Sequence, residues 1–193
     1  MSRSVETVAA APRRPDRRPA QTIRKLLDAG AAELRVASFS AITMRSVAAR
    51  AGVSPASAYT YFPSKNALVA KLYLETLKTV APQSFSTDNP RARVKAALRG
   101  MLLATAEEPE LAAACATAML ADESAVEAVR TEFVGEVARR LRSALGRGLR
   151  PSVQHTLGLT FAGALMSARF LTYEQISKQL DDSVDLILGA SIS

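Results

Sequence analysis

The sequence predicts an all-α protein of about nine helices, and three observations carry that prediction. Apolar residues recur at spacings of three and four along most of the chain, the period of a helix with one buried face. No segment shows the polar–apolar alternation of a strand. Helix punctuation is dense near the start: hydroxyl residues stand where helices begin, glycine or proline where they end.

Residues 1–19 hold Pro12, Pro15 and Pro19 among small residues and paired arginines, and read as a disordered basic tail. From residue 21, Ile23, Leu26, Leu27, Ala31 and Leu34 mark an amphipathic helix to about residue 36. A break follows at 38–42. Thr43 then caps a short helix through Met44, Val47, Ala48 and Ala51, and Gly52 supplies the left-handed turn just past its end. Ser54 caps the next helix, with Pro55 at its first position, and Pro63 ends it. Ser64 caps a longer helix from 65 to about 80 through Leu68, Leu72 and Leu77. Residues 81–90 form a linker. Further helices are expected at 91–106, 109–120, 124–145, 152–171 and 174–188, with Gly146, Gly148 and Pro151 breaking the chain before the fourth of these. The expected organisation is a tail (1–19), a three-helix unit (20–66) and a larger helical unit (67–193).

With 193 residues, 48% hydrophobic and 22% charged, the composition is that of an ordinary globular protein, and low-complexity classes are excluded. No run approaches the ~18 consecutive apolar residues of a membrane span. The first twenty residues lack the apolar region of a secretory signal, so a cytoplasmic location is expected. The single cysteine, Cys115, has no disulfide partner, and the single histidine, His155, cannot build a histidine-based zinc site. No metal or cofactor is expected.

Charge is more informative. The net charge is +7 and the pI about 10.0. Residues 1–78 carry 13 Lys/Arg against 5 Asp/Glu, while residues 79–193 carry 12 against 13. So lopsided a field reads as the footprint of a polyanion, nucleic acid or anionic membrane, on the N-terminal module. A solvated basic surface is the alternative reading.

The helix, glycine turn and helix of residues 43–61 form a helix-turn-helix pattern. In nucleic-acid-binding versions the second helix enters the major groove with its N-terminus toward base edges. Pro55, Ala56 and Ser57 are small enough for close approach there, Tyr59 and Tyr61 offer phenolic donors, and Lys65 is a further phosphate partner. Core packing with a satisfied hydroxyl is the other reading of the tyrosines.

Residues 43–65, TMRSVAARAGVSPASAYTYFPSK, resemble the TetR family of bacterial one-component transcriptional regulators. Gly52-Val53-Ser54, Tyr59, Tyr61-Phe62 and Ser64-Lys65 look like that family's signature. The resemblance implies that Thr43 contacts phosphate, that Arg45 holds a position which sometimes reaches DNA, and that Ser54 caps the recognition helix and bonds a phosphate. It places Pro55, Ala56 and Ser57 facing bases, Tyr59 and Tyr61 on the DNA backbone, and Lys65 on a phosphate. Two departures stand out: Ala56 replaces a common glycine, and Ala58 a larger apolar residue. Arg13, Arg14, Arg17 and Arg18 form either a minor-groove arm or a solvated tail.

The resemblance further implies that the C-terminal unit dimerises and binds a small effector. Independently, residues 153–171 are apolar around most of the helix, which calls for burial on more than one side. Leu159, Gly163, Ser167 and Leu171, with the stripe Leu180, Val184 and Ile187, are the candidate homodimer interface. Met101, Cys115, Met119, Phe133, His155, Phe161, Met166 and Phe170 are the candidate effector pocket, although each alone also fits plain core. Few charged residues fall on inward faces, which favours a hydrophobic effector. The signature's wording is similar to that of the family's actinobacterial, cholesterol-repressor-like branch, which implies a lipid, steroid or acyl thioester.

The expected function is thus a dimeric regulator on a palindromic DNA operator, most simply a repressor released by a small hydrophobic effector. The alternative is a helical protein that binds DNA or a membrane surface through charge alone. No enzyme constellation is present: one histidine serves no convincing triad, and neither a Walker A nor a G-x-G-x-x-G motif occurs. The Glu107, Glu108 and Glu110 cluster is explained by the dipole of the helix it opens.

Overall fold

The computed structural model describes residues 18–81, 89–106, 109–146, 150–168 and 170–189, and among these described residues nine helices follow one another with no strand. The arginines at 13, 14 and 17 and most of the expected linker lie outside the described residues. The helices are α1 (Arg18–Leu34), α2 (Met44–Ala51), α3 (Pro55–Tyr61), α4 (Lys65–Thr79) and α5 (Pro90–Ala106), then α6 (Pro109–Ala118), α7 (Ser124–Leu145), α8 (Pro151–Ser167) and α9 (Tyr173–Gly189).

The first three helices pack through the residues whose spacing predicted them. Leu26 and Leu34 of α1, Val47 and Ala48 of α2 and Ala58 of α3 are buried together with Ile42. Gly52 ends α2 in the left-handed region (φ 67°, ψ 34°), a conformation that strains any residue with a Cβ, and its N–H donates to Ala49 O at 3.2 Å. Gly30 serves a different need. A Cβ built there would stand 2.7 Å from Cδ2 of Leu68, so its lack of a side chain lets α1 pass close to α4.

Helix α4 joins the two halves. Ala67, Leu68, Val69, Ala70, Leu72, Tyr73, Leu74 and Leu77 are all buried, an apolar girdle that α1 covers on one side and α6 and α7 on others. The 22-residue α7 runs alongside it. Polar clamps hold the pair: Lys71 Nζ lies 2.9 Å from Glu132 Oε2, and Arg140 donates to the carbonyls of Leu77 (2.8 Å) and Val80 (2.9 Å) at the end of α4.

Helices α5, α7, α8 and α9 pack into the C-terminal half. The residues expected at an interface are placed differently from one another. Leu180 and Val184 are buried within the protomer, where α9 turns its apolar stripe onto α5 and α8, and Ile187 packs half-buried against the same core. Asp185 and Asp181 flank that contact and pair with Lys95 (2.7 Å) and Arg99 of α5. Leu159 on α8 is 76% exposed and Phe170 just after it 83%, with Gly163 also exposed and Ser167 and Leu171 half-buried; Val134 of α7 and Leu186 of α9 are outward as well. No helix among the described residues is long and apolar enough to cross a membrane.

Candidate functional site

Three successive helices begin with a hydroxyl side chain that accepts from the third helical N–H. Thr43 Oγ1 accepts from Ser46 N (3.1 Å), Ser54 Oγ from Ser57 N (3.1 Å) and Ser64 Oγ from Ala67 N (3.0 Å). Each hydroxyl keeps one hydrogen to donate. Ser64 spends its hydrogen on Glu123 Oε2 at the start of α7. On Thr43 and Ser54, both exposed, no acceptor among the described residues takes it. A capping box fixes Thr43 further: its N–H donates to Ser46 Oγ (3.2 Å), whose own hydrogen goes to Thr43 O (2.9 Å). Two fixed, outward O–H donors beside the positive ends of two helix dipoles suit the oxygens of a phosphate backbone.

Between them lies the face of α3. Pro55 and Ala56 are exposed and Ser57 half-buried, so the start of the helix is free of bulk. Ala58 is 0% exposed beneath it and packs into the core of the three-helix unit. Tyr59 is 52% exposed, whereas Tyr61 is half-buried against the core. Arg45 stands exposed on α2 without an ion-pair partner among the described residues.

Lys65 is placed differently from its expected phosphate role. Its ammonium donates to Phe39 O (2.8 Å), Ile42 O (3.3 Å) and Ser40 O (3.4 Å) and lies 4.7 Å from the centre of the Phe39 ring. A lysine has three hydrogens, and this turn accepts them all. Here Lys65 fastens the 38–42 turn that delivers Thr43.

A cavity of about 490 Å³ lies among α4, α6, α7 and α8. Of the expected pocket residues, Cys115, Met119, Phe133, His155, Phe161 and Met166 line it. Met101 does not: it is 1% exposed in the core around α5. Phe170 lies past the end of α8, exposed and off the cavity. Leu159, expected at an interface, stands at the cavity's edge on α8. The sequence reading missed Tyr73, which stacks on Phe133 with ring centres 5.2 Å apart, and the polar Gln154 and Arg130. Arg130 had a signal: it falls in the same register as Val126, Phe133 and Val137, where a charge on an apolar face asks for a reason. The Cys115 thiol lies 3.7 Å from Val69 O, and burial pushes its pKa well up, so it stays a thiol.

Comparison with known proteins agrees with this geometry. Residues 26–72, from α1 into α4, match the family described as bacterial regulatory proteins, tetR family. Uncharacterized HTH-type transcriptional regulators of Mycobacterium tuberculosis and Mycobacterium bovis are 42% identical over 180 residues, 91% of this chain and 84% of theirs. The chain belongs to the TetR family. It is a DNA-binding transcriptional regulator and not an enzyme. Solved TetR-family structures share its fold over most of the chain. A regulator from Rhodococcus sp. RHA1 superposes with a TM-score of 0.78 at 18% identity, covering 90% of this chain and 98% of the other. A repressor from Thermus thermophilus, solved with lauroyl-CoA, gives 0.64 at 17% identity, covering 86% and 93%. The TetR match spans the two open cap hydroxyls and the small-residue face of α3.

Proposed function

We propose that this chain is a homodimeric repressor whose hold on a palindromic operator is released by a small hydrophobic effector in the α4–α8 cavity. The observation that carries the DNA side is the pair of outward donors on Thr43 and Ser54 flanking the exposed start of α3. In this reading α3 enters the major groove, Pro55, Ala56 and Ser57 meet base edges, and Thr43, Ser54, Arg45 and Tyr59 hold phosphates. Tyr61 contributes its half-buried ring to packing and its hydroxyl to the backbone contact. The functional division falls at about residue 66, with the reading head before it and the sensing and pairing unit after it.

Two features support the remainder. Leu159 and Phe170 are large apolar side chains left outward on and just after α8, where a second copy would cover them. The cavity is lined mainly by apolar side chains and has the size of a small-molecule site. The lauroyl-CoA complex of the Thermus repressor supports an acyl-bearing ligand for this fold.

The test is binding to the promoter beside the chain's own gene against a scrambled duplex, over a salt series. A preference of ~10³ or more at physiological salt is expected. Equal binding that vanishes for both duplexes as salt rises would instead make the basic half a plain electrostatic patch.

A further inference from the structure

Among the described residues the cavity wall carries a single full charge. Arg130 is the one Lys, Arg, Asp or Glu among its lining residues, and it sits in α7 at the end nearest the α6–α7 turn. Its guanidinium is fixed through one nitrogen only: Nη1 donates to Met119 O (2.9 Å) and Ala121 O (3.0 Å). Nε and Nη2 hold three more hydrogens, for which no acceptor exists among the described residues. A half-buried cation beside apolar walls, with donors to spare and no carboxylate paired with it among the described residues, gains from any ligand that brings a negative charge.

We propose that the site selects amphipathic monoanions: a carboxylate on Arg130 with an unbranched apolar tail along α7. This rests on reading the cavity as the effector site and adds the chemistry of its occupant. The planar edge of a guanidinium matches a carboxylate in a two-bond fork. From Arg130 the lining residues of α7 continue through Phe133, Val137 and Leu141, an apolar track of roughly 16 Å at 1.5 Å per residue. Phe161 and Leu165 of α8 face it across the cavity. A head group at Arg130 also meets the residue that holds the α6–α7 turn, and that turn leads to Glu123, which is bonded to Ser64 and Asn66 at the start of α4.

The experiment is calorimetric titration of the full chain with decanoate, decan-1-ol and decylamine at neutral pH, below their aggregation limits. The wild type is expected to bind decanoate at least tenfold more tightly than decanol, and decylammonium least. Arg130→Gln should bring decanoate to within twofold of decanol, and Arg130→Lys should keep part of the preference. Equal binding of acid and alcohol by the wild type, no binding of decanoate, or a preference that survives Arg130→Gln overturns the proposal. The wild-type ligand ranking decides the matter even where the glutamine variant fails to fold. Operator release is read separately. Decanoate that binds through Arg130 yet leaves DNA affinity unchanged overturns the effector-released reading and not this one.

Discussion

The hydroxyl of Ser64 caps α4 and, with its one hydrogen, bonds the carboxylate of Glu123 at the start of α7. Asn66 adds a second bond to the same carboxylate, at 2.6 Å. One side chain therefore ties the helix that follows the DNA-reading head to the helix that walls the cavity. The Ser64 hydroxyl, then the Asn66 amide, hold the Glu123 carboxyl below its ordinary range. Glu123→Ala is expected to speed amide exchange in residues 64–68 by at least tenfold, with α8 and α9 unaffected. Unchanged exchange at 64–68 would show that apolar packing alone fixes the start of α4.

Ser54→Asp separates folding from DNA contact. Aspartate caps a helix as well as serine does, so the melting temperature should stay within about 2 °C. Its charge would face a phosphate where the serine offers an O–H, and operator affinity should fall at least tenfold. A binding isotherm paired with a melting curve checks both halves, and affinity equal to the wild type would remove Ser54 from the interface.

Gly52→Ala tests the turn between α2 and α3. Nothing lies within 4 Å of the added Cβ, so the cost is purely that of φ +67° for a residue with a side chain. That cost is about 1 kcal/mol, a fall of roughly 2–4 °C in Tm for a chain of this size. A Tm at or above the wild-type value would contradict the left-handed turn.

Acid stability should depend on Glu136. Arg139 (2.6 Å) and Arg140 (2.7 Å) hold its carboxyl down at about 2, against an ordinary 4.5. A depressed carboxyl stabilises the fold above its unfolded value, and that contribution drains away as pH falls from about 4.5 toward 2. Since Arg139 is half exposed and screened by water, the contribution is about 1 kcal/mol. Glu136→Gln should lower stability at pH 7 and flatten its decline below pH 4.5, as read from urea midpoints across that range. A decline as steep as the wild type's would assign acid sensitivity to other carboxylates.

Much of this molecule is legible from local rules. The caps at Thr43, Ser54 and Ser64 and the turn at Gly52 follow from short-range chemistry, and all four stand where the sequence puts them. The family signature sits on those same residues. What local rules miss depends on contacts far apart in the chain. Lys65 serves carbonyls more than twenty residues earlier, and Ser64 meets Glu123 across a separation of 59. Leu180 and Val184 show the same limit. Periodicity tells that a stripe is apolar, but not whether its own α5 or another chain covers it. The cavity is half legible for a related reason: its aromatic and sulfur-bearing walls are apolar like any core, and the residues that break the pattern, Arg130, Gln154 and His155, are few.

Cys115 gives the molecule a built-in clock. It is the chain's one cysteine, 1% exposed, set in the cavity wall with its thiol turned toward Val69 of α4. At 1% exposure a thiol-directed reagent reaches it only when the packing around α6 opens, and one attached label reports one event. The labelling rate, set against that of an unfolded chain, thus converts into the free energy of the opening that exposes this part of the cavity wall. The rates with and without ligand, or with and without DNA, would place both partners on one energy scale without any engineered residue.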